Sequence, residues 1–262
     1  MTILEKILHE KRFEVERLLA EGVSAVTNDE SRPSLFGKLV NASHLQVIAE
    51  MKRASPSKGL IAEGADPVAQ ATAYEKAGVA CISVLTDGPF FKGSFDDLAA
   101  VAGAVDTPLL CKDFIIHKVQ IDKAKSAGAS VILLIVSALD DEELAEFHRY
   151  ATKAGLEVLV EVHDALELER ALKIGAKLIG VNNRNLRTFE VDLSRTEEIA
   201  AIFPFGENHV LISESGITGK QDALRVSHAG ASAVLVGESL MQSGMVGEAI
   251  ESMQVALPRR VR

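Results

Sequence analysis

The sequence predicts an α/β fold, a single (β/α)8 TIM barrel with an N-terminal helical extension. Two observations lead to it. Eight short apolar runs alternate with stretches of helical character, and a chain of 262 residues has the length of one such barrel. Near-continuous apolar strands indicate a parallel sheet covered by helices. A doubly wound open sheet is the alternative architecture.

The N-terminal extension comprises residues 1–45. Apolar side chains recur at helical spacing over residues 2–21, and Gly22 is a typical stop, so this stretch predicts an amphipathic helix. The polar segment that follows contains Pro33 and predicts a connector with one short helical turn near Leu35–Val40. Residues 46–262 then form the barrel, and no linker divides the chain into further domains.

The barrel strands are predicted from a repeated pattern in which a helical stretch ends in Gly and a β-branched or Leu-rich run follows. Gly suits the helix end because it takes the left-handed conformation at little cost. Two of the runs have a weaker Gly signal but the same apolar character. The eight runs lie at Val47, Ala80, Leu109, Val131, Val158, Leu178, Val210 and Val234.

Composition limits the function classes. A formal charge of −9 argues against nucleic acid or an anionic membrane as a partner, although a local basic pocket for a small anion is compatible with it. The start has no signal-peptide core and no apolar run approaches about 18 residues, so a cytoplasmic location is expected. Cys81 and Cys111 lie in apolar runs and are expected to be reduced core thiols. No metal-ligand spacing and no cofactor motif are present.

Charged and polar residues end five of the predicted strands. In a parallel barrel the carboxyl ends of all strands meet on one face, so these side chains are expected to converge. Three carboxylates and two lysines around one opening form an acid/base set whose members tune one another's pKa values. For any single member, a solvated rim or a structural ion pair is the competing interpretation. The set is Glu50, Lys52, Lys112, Glu161, Asn182 and Glu214.

Two loops predict a phosphate site, and apolar residues near the opening predict a wall for a flat substrate. Ser215-Gly216-Ile217 and Gly237-Glu238-Ser239 follow the seventh and eighth strands as small-residue turns leading into helices, the common phosphate position of these barrels. The apolar residues can equally be ordinary packing. They are Phe90, Phe91, Phe114 and Leu186.

These motifs together resemble the indole-3-glycerol phosphate synthase family. The resemblance rests on Glu50-x-Lys52-Arg53-x-Ser55-Pro56-Ser57-x-Gly59 and on four later segments, and it runs from the N-terminal helix to Gly237. It implies decarboxylating, dehydrating ring closure of 1-(2-carboxyphenylamino)-1-deoxyribulose 5-phosphate without a cofactor. The later segments are Cys111–Phe114, Leu159–His163, Asn182–Leu186 and Ser213–Ile217.

The resemblance also implies roles. Lys112 would be the general acid on the ketone oxygen, Glu161 its partner acid/base, and Lys52 a ligand of the substrate carboxylate or phosphate and a second candidate acid. Glu50, Asn182 and Glu214 would orient these groups, and Arg184 would help to hold the carboxylate. Ser55, Ser215, Gly216, Gly237 and Glu238 would bind phosphate. Many relatives carry Ser where this chain has Glu238. Because a carboxylate would repel a phosphate, only the backbone N–H of Glu238 is expected to face the ligand, with the side chain turned to solvent.

Two other functions remain open from sequence. Another phosphate-binding barrel, such as phosphoribosylanthranilate isomerase, would share the phosphate loops but leave the Glu50/Lys52 strand unexplained. A non-catalytic barrel would bind the substrate unchanged. In each case the expected partner is a small phosphorylated molecule, and the chain is expected to be a monomer or a weak homo-oligomer. His163, just before Asp164, is expected to serve a helix start.

Overall fold

Eight parallel strands close into one barrel in the computed structural model, which describes residues 1–23, 32–62, 64–206 and 208–258. Each strand pairs with the next along the chain, and the eighth pairs with the first. This confirms the predicted barrel and excludes the open sheet. The strands are β1 (Gln46–Met51), β2 (Cys81–Leu85), β3 (Leu109–Lys112), β4 (Val131–Ile135), β5 (Glu157–Val162), β6 (Leu178–Asn182), β7 (Val210–Glu214) and β8 (Ala233–Val236).

Helices surround the barrel and follow each strand. Several carry side-chain N-caps, as at Asp140, whose carboxylate accepts from the backbone N–H of Glu143 in a reciprocal capping box. The helices are α1 (Ile3–Glu21), α2 (Leu35–Val40), α3 (Pro67–Lys76), α4 (Gly88–Phe91), α5 (Phe95–Ala102), α6 (Lys118–Ser126), α7 (Asp141–Lys153), α8 (Ala165–Lys173), α9 (Ser194–Ile202), α10 (Lys220–Ala229), α11 (Glu238–Met241) and α12 (Val246–Met253), with a 3-10 turn at Val136–Ala138.

The apolar core has two parts because successive side chains of a strand point to opposite faces. The larger part lies between the sheet and the surrounding helices. The smaller part fills the barrel interior, where Ile48, Leu110 and Leu159 are fully buried. Cys81 and Cys111 are free and buried, as predicted. No helix in the described ranges combines the length and apolar character that a membrane span requires.

Helix α2 closes the floor of the barrel, at the end opposite the strand carboxyl ends. Leu35 and Leu39 are buried in the interior cluster. Glu157, the first residue of β5, accepts hydrogen bonds from the backbone N–H of Leu35 at 2.6 Å and of Phe36 at 3.0 Å. A carboxylate at a helix N-terminus satisfies free N–H groups and complements the helix dipole. The predicted short helical turn is therefore a floor element.

Helix α1 confirms the predicted N-terminal helix and packs on the outside of the barrel near α6. Thr2 caps its start in a capping box with Glu5. Val15 and Leu18 contact Val119 of α6 in a small apolar cluster. Residues 24–31 of the predicted connector lie outside the described ranges. The division of the chain at residue 45 stays a prediction.

Candidate active site

The charged residues predicted at the strand ends come together at the carboxyl-terminal mouth of the barrel. Lys112, at the end of β3, lies at their centre. Its Nζ is 3.6 Å from Glu50 Oε2, 3.5 Å from Glu214 Oε2 and 4.0 Å from Glu161 Oε2. Lys52 Nζ lies 2.5 Å from the other oxygen of Glu50. The mouth therefore holds two ammonium groups among three carboxylates.

Burial and mutual charge shift the pKa values of these side chains away from their ordinary values. The side chains of Glu50 and Glu214 are 1% and 2% exposed, whereas Lys112 is 15% exposed and faces the opening. Burial acts to raise the pKa of Glu50, but the charges of Lys52 and Lys112 outweigh it and hold that pKa below its ordinary value. Glu50 is thus a fixed anion between the two lysines.

Glu214 behaves in the opposite way. Burial raises the pKa of Glu214 to about 7; the attraction of Lys112 opposes this, while the charges of Glu161 and Glu50 add to it. Glu214 therefore exchanges its proton near neutral pH. Space for its carboxylate comes from Gly180 of β6, where a Cβ would collide with Glu214 Oε1.

Lys112 remains protonated in this environment. Burial acts to lower the pKa of Lys112, yet the nearby carboxylates Glu50, Glu214 and Glu161 together hold it above its ordinary value. An ammonium at this position can donate a proton to an oxygen that gains negative charge as a reaction proceeds. It can also stabilise that charge without transferring the proton.

Asn182 connects the charged ring to the neighbouring loops. Its side-chain N–H donates to Glu161 Oε1 at 3.1 Å, and its carbonyl oxygen accepts from Ser215 Oγ at 2.9 Å and from the backbone N–H of Arg184 at 3.0 Å. Both polar atoms of the Asn182 amide therefore have hydrogen-bond partners, which fix its orientation. Behind it, buried Asn183 donates to the backbone oxygens of Glu214 and Ser215 and fixes the turn after β7.

The loop after β1 folds into a two-stranded antiparallel hairpin, Ala54–Ser55 with Gly59–Leu60. Ser55 is nearly buried, and its hydroxyl lies 3.3 Å from that of Ser57. Lys58 at the tip lies 3.3 Å from the Glu238 carboxylate, so the Glu238 side chain is paired and only 33% exposed. The Glu238 side chain is thus partly exposed to solvent, as expected, and it also forms a surface ion pair that was not predicted.

The two predicted phosphate loops lie next to each other. Ser239 donates from its hydroxyl to the backbone oxygen of Ile217 at 3.2 Å. Gly216 has φ 86°, and a Cβ there would collide with Val191, so this turn requires glycine. Gly237 lies against Glu50, whose Oε1 would be 2.8 Å from a Cβ at that position. Only the second loop leads directly into a helix, because α10 does not begin until Lys220.

The predicted apolar wall is partly assembled. The rings of Phe91 and Phe114 lie 5.9 Å apart at an interplanar angle of 32°. Phe90, in the short helix α4 after β2, and Leu186, in the loop after β6, are half-buried. Arg184, also in the loop after β6, donates to the backbone oxygen of Phe189 at 3.2 Å.

Two features near the mouth were not predicted. Lys11 of α1 is 1% exposed and lies 2.6 Å from Asp113 Oδ1 and 3.2 Å from Asp87 Oδ2, so α1 is tied to the loops after β2 and β3. His163 lies 3.5 Å from Glu161, whereas sequence assigned it only to a helix start. The strand period of two placed His163 on the same side as Glu161, and this signal could have indicated the contact.

The helix-start role itself belongs to Asp164, which caps α8 by accepting from the backbone N–H of Glu167. Within the described ranges no group of three His, Cys, Asp or Glu side chains has the arrangement of a metal site.

Comparison with known proteins gives a consistent result. The sequence model described as indole-3-glycerol phosphate synthase matches residues 4–253. Proteins of that name are 51% identical over 253 residues in Exiguobacterium sibiricum, 97% of each chain, and 48% identical over 260 residues in Oceanobacillus iheyensis, 99% of each chain. A protein of the same name in Bacillus mycoides is 50% identical over 254 residues, 97% of this chain and 98% of the relative.

A solved structure of 3-hexulose-6-phosphate synthase is similar in fold, with a TM-score of 0.62 at 16% identity. It covers 82% of this chain and 100% of its own. At that identity the likeness shows the barrel architecture alone.

Proposed function

The chain belongs to the indole-3-glycerol phosphate synthase family, and from this premise we propose that the charged ring at its mouth carries out the family's ring closure. The substrate is 1-(2-carboxyphenylamino)-1-deoxyribulose 5-phosphate, and the products are indole-3-glycerol phosphate, carbon dioxide and water. The enzyme is thus a carboxy-lyase. The observation that supports this most directly is Lys112, held within 4.0 Å of three carboxylates in a mouth open to solvent.

The first chemical step needs a proton donor at the ketone oxygen. The aromatic carbon that bears the carboxylate attacks the ketone carbon, and the oxygen becomes a hydroxyl by taking a proton from Lys112. The ring is then cationic and iminium-like, so it accepts the electron pair released when the carboxylate leaves as carbon dioxide. No separate electron sink is required for that step.

The second step removes the hydroxyl as water. Lys112 and Lys52 are both candidates for the acid, since each is an ammonium group within reach of Glu50. Glu161 is the partner that returns a proton to the lysine or takes the proton that the ring methylene carbon next to nitrogen loses as the new double bond forms. The fixed anion Glu50 also stabilises the positive charge that develops on the ring before carbon dioxide and water are lost.

Substrate binding is assigned to the groups around the ring. Backbone N–H groups near Gly216 and Gly237, together with Ser55 and Ser215, bind the phosphate, while Glu238 contributes its backbone only. Arg184 and Lys52 hold the carboxylate. Phe91, Phe114 and Leu186 pack against the aromatic ring of the substrate.

Indole fluorescence on adding the substrate tests the proposal. The chain contains no Trp, so product emission meets little protein background. The wild type is expected to generate emission, and Lys112→Ala and Glu161→Gln are expected to lower kcat by about 10²–10⁴-fold, as for loss of a general acid or base. Lys153→Ala, on the exposed side of α7, is the matched control and should retain activity.

Each alternative has its own outcome. If the wild type binds the substrate but releases it unchanged, the chain is a non-catalytic binding barrel. If it instead isomerises a related sugar phosphate, the chain is another phosphate-binding enzyme. Full activity in Lys112→Ala would leave the assigned reaction standing and would identify Lys52 as the general acid. Circular dichroism of each variant separates loss of chemistry from loss of fold.

We further infer a cytoplasmic location, supported by two free buried cysteines that suit a reducing compartment. A monomer or weak homo-oligomer is part of the same proposal, and sedimentation velocity at several protein concentrations tests it.

A further inference from the structure

The imidazole of His163 links the catalytic mouth to helix α8. Its Nδ1 lies 3.0 Å from Glu167 Oε2, and its backbone N–H donates to the same oxygen at 2.8 Å. Its Nε2 lies 3.5 Å from Glu161 Oε1. The side chain is only 11% exposed, so water has little access to either nitrogen. The three side chains therefore form a chain of contacts, Glu167 to His163 to Glu161.

The chemistry of these groups determines where the protons are. An ionised carboxylate accepts hydrogen bonds and does not donate, so the contact with Glu167 places a proton on His163 Nδ1. In a neutral ring Nε2 then carries a lone pair that faces a carboxylate oxygen, which is unfavourable in a buried site. In the described part of the chain, buried Nε2 has no other hydrogen-bond partner. One further proton between Nε2 and Glu161 removes the conflict.

The same contacts fix the orientation of the Glu161 carboxylate. Oε1 faces His163 and also accepts from the side-chain N–H of Asn182 at 3.1 Å. Oε2 is left to face Lys112 at 4.0 Å. A carboxylate held at one oxygen presents the other in a defined direction, which acid/base chemistry requires.

We propose that His163, oriented by Glu167, is a positioning residue for Glu161 and holds the proton that the His163–Glu161 pair shares. This rests on the proposed function, in which Glu161 exchanges protons with Lys112 or with the substrate. His163 is not assigned a contact with the substrate.

The electrostatic surroundings agree with this assignment. The charged groups that face the imidazole are Glu161 from β5, Glu167 from α8 and Glu214 from β7. Burial acts to lower the pKa of His163, but the hydrogen bond to Glu167 and the three carboxylate charges outweigh it, so the pKa is raised. These surroundings therefore favour the imidazolium form of His163 more than water favours that of an isolated His.

Two substitutions separate the roles of the two ring nitrogens. In His163→Asn the side-chain amide can still donate to Glu167 from the Nδ1 position but no longer reaches Glu161. In His163→Gln an amide N–H takes the Nε2 position and donates to Glu161 without titrating. We expect His163→Asn to lower kcat at least about fivefold with KM within about twofold, and His163→Gln to recover most of this loss.

The pH profile is the readout that a merely structural role would not change. The wild type is expected to lose kcat/KM on the alkaline side as the shared proton dissociates, and His163→Gln should lack that step. The control is His228→Gln on the exposed side of α10, which should match the wild type in rate and profile. A His163→Asn variant with wild-type kcat and an unchanged profile would overturn the proposal.

Nuclear magnetic resonance titration of the His163 imidazole tests the pairing independently of turnover. Its signal is assigned by its absence in His163→Asn. We expect the pKa of His163 to be lower in Glu161→Gln than in the wild type, because the substitution removes the facing charge. Equal pKa values in the two proteins would refute the pairing whatever the activity. Absence of indole product, in contrast, would refute the proposed function and leave the titration result standing.

Discussion

Replacing Glu214 by Gln is expected to stabilise the protein in a pH-dependent way. Burial raises the pKa of Glu214 to about 7 from an ordinary 4.5. A group whose folded pKa is raised contributes stability that is complete below the unfolded pKa and is lost as pH rises through the folded pKa. Glutamine has the shape of the protonated acid and does not titrate, so it avoids this loss.

The size of the effect follows from the pKa difference. The gap between about 7 and 4.5, at about 1.36 kcal/mol for each pH unit, corresponds to about 3 kcal/mol once the pH is well above 7. At pH 5 most of that contribution is still present. The free energy of unfolding of Glu214→Gln minus that of the wild type should therefore increase by about 2–3 kcal/mol between pH 5 and pH 8.5.

Urea denaturation at pH 5, 6, 7 and 8.5 measures this difference for both proteins. Glu198→Gln, on the exposed side of α9, is the control for a carboxylate-to-amide change outside the barrel. A difference between Glu214→Gln and wild type that stays constant within about 0.5 kcal/mol over this range would refute the assigned burial effect. A difference that falls as pH rises would mean that the Glu214 pKa is lowered by Lys112.

Two further substitutions test contacts that the structure brings together. Lys11→Met removes the cation from two buried carboxylates and should lower the free energy of unfolding by about 3–5 kcal/mol in urea denaturation; the exposed Arg12→Met is the control, and equal midpoints would contradict the assignment. Gly180→Ala places a methyl group against Glu214 and should lower kcat/KM at least about tenfold while circular dichroism is retained. Gly247→Ala, with open space around its Cα, is the control, and unchanged kcat/KM in Gly180→Ala would show that the carboxylate can move.

The barrel was predictable because its signal is local. Most strands are apolar runs after a Gly-ended helix, and at Gly155, for example, φ is 83°, as a helix stop requires. The convergence of Lys112 with Glu161 was predictable for a different reason. Parallel strands bring their carboxyl ends to one face whatever their distance in sequence. The contact between Lys112 and Glu161 is therefore predicted by the barrel topology and not by any local sequence pattern.

Other contacts were not predictable, because they depend on which distant side chains meet. Lys11 stands between Glu10 and Arg12, as is typical of a solvated helix face. Its burial was not predictable because Asp87 and Asp113, which pair with it beside Glu14, lie far away in sequence. The ion pair of Glu238 was not predicted either, because its partner Lys58 lies far away in sequence, in the hairpin after β1. The roles of the site residues stay predictions, since geometry alone does not identify which lysine transfers a proton.

The buried position of Lys11 has a consequence for synthesis on the ribosome. Helix α1 leaves the ribosome before its anionic partners on the barrel, because Asp87 follows β1 and β2 and Asp113 follows β3 as well. A charged side chain at this position keeps the waiting helix less apolar than Leu or Met would, and so lowers the risk of premature association with other nascent chains. The Lys11 ammonium that pairs with Asp87 and Asp113 in the folded protein therefore also lowers the aggregation risk of α1 during synthesis.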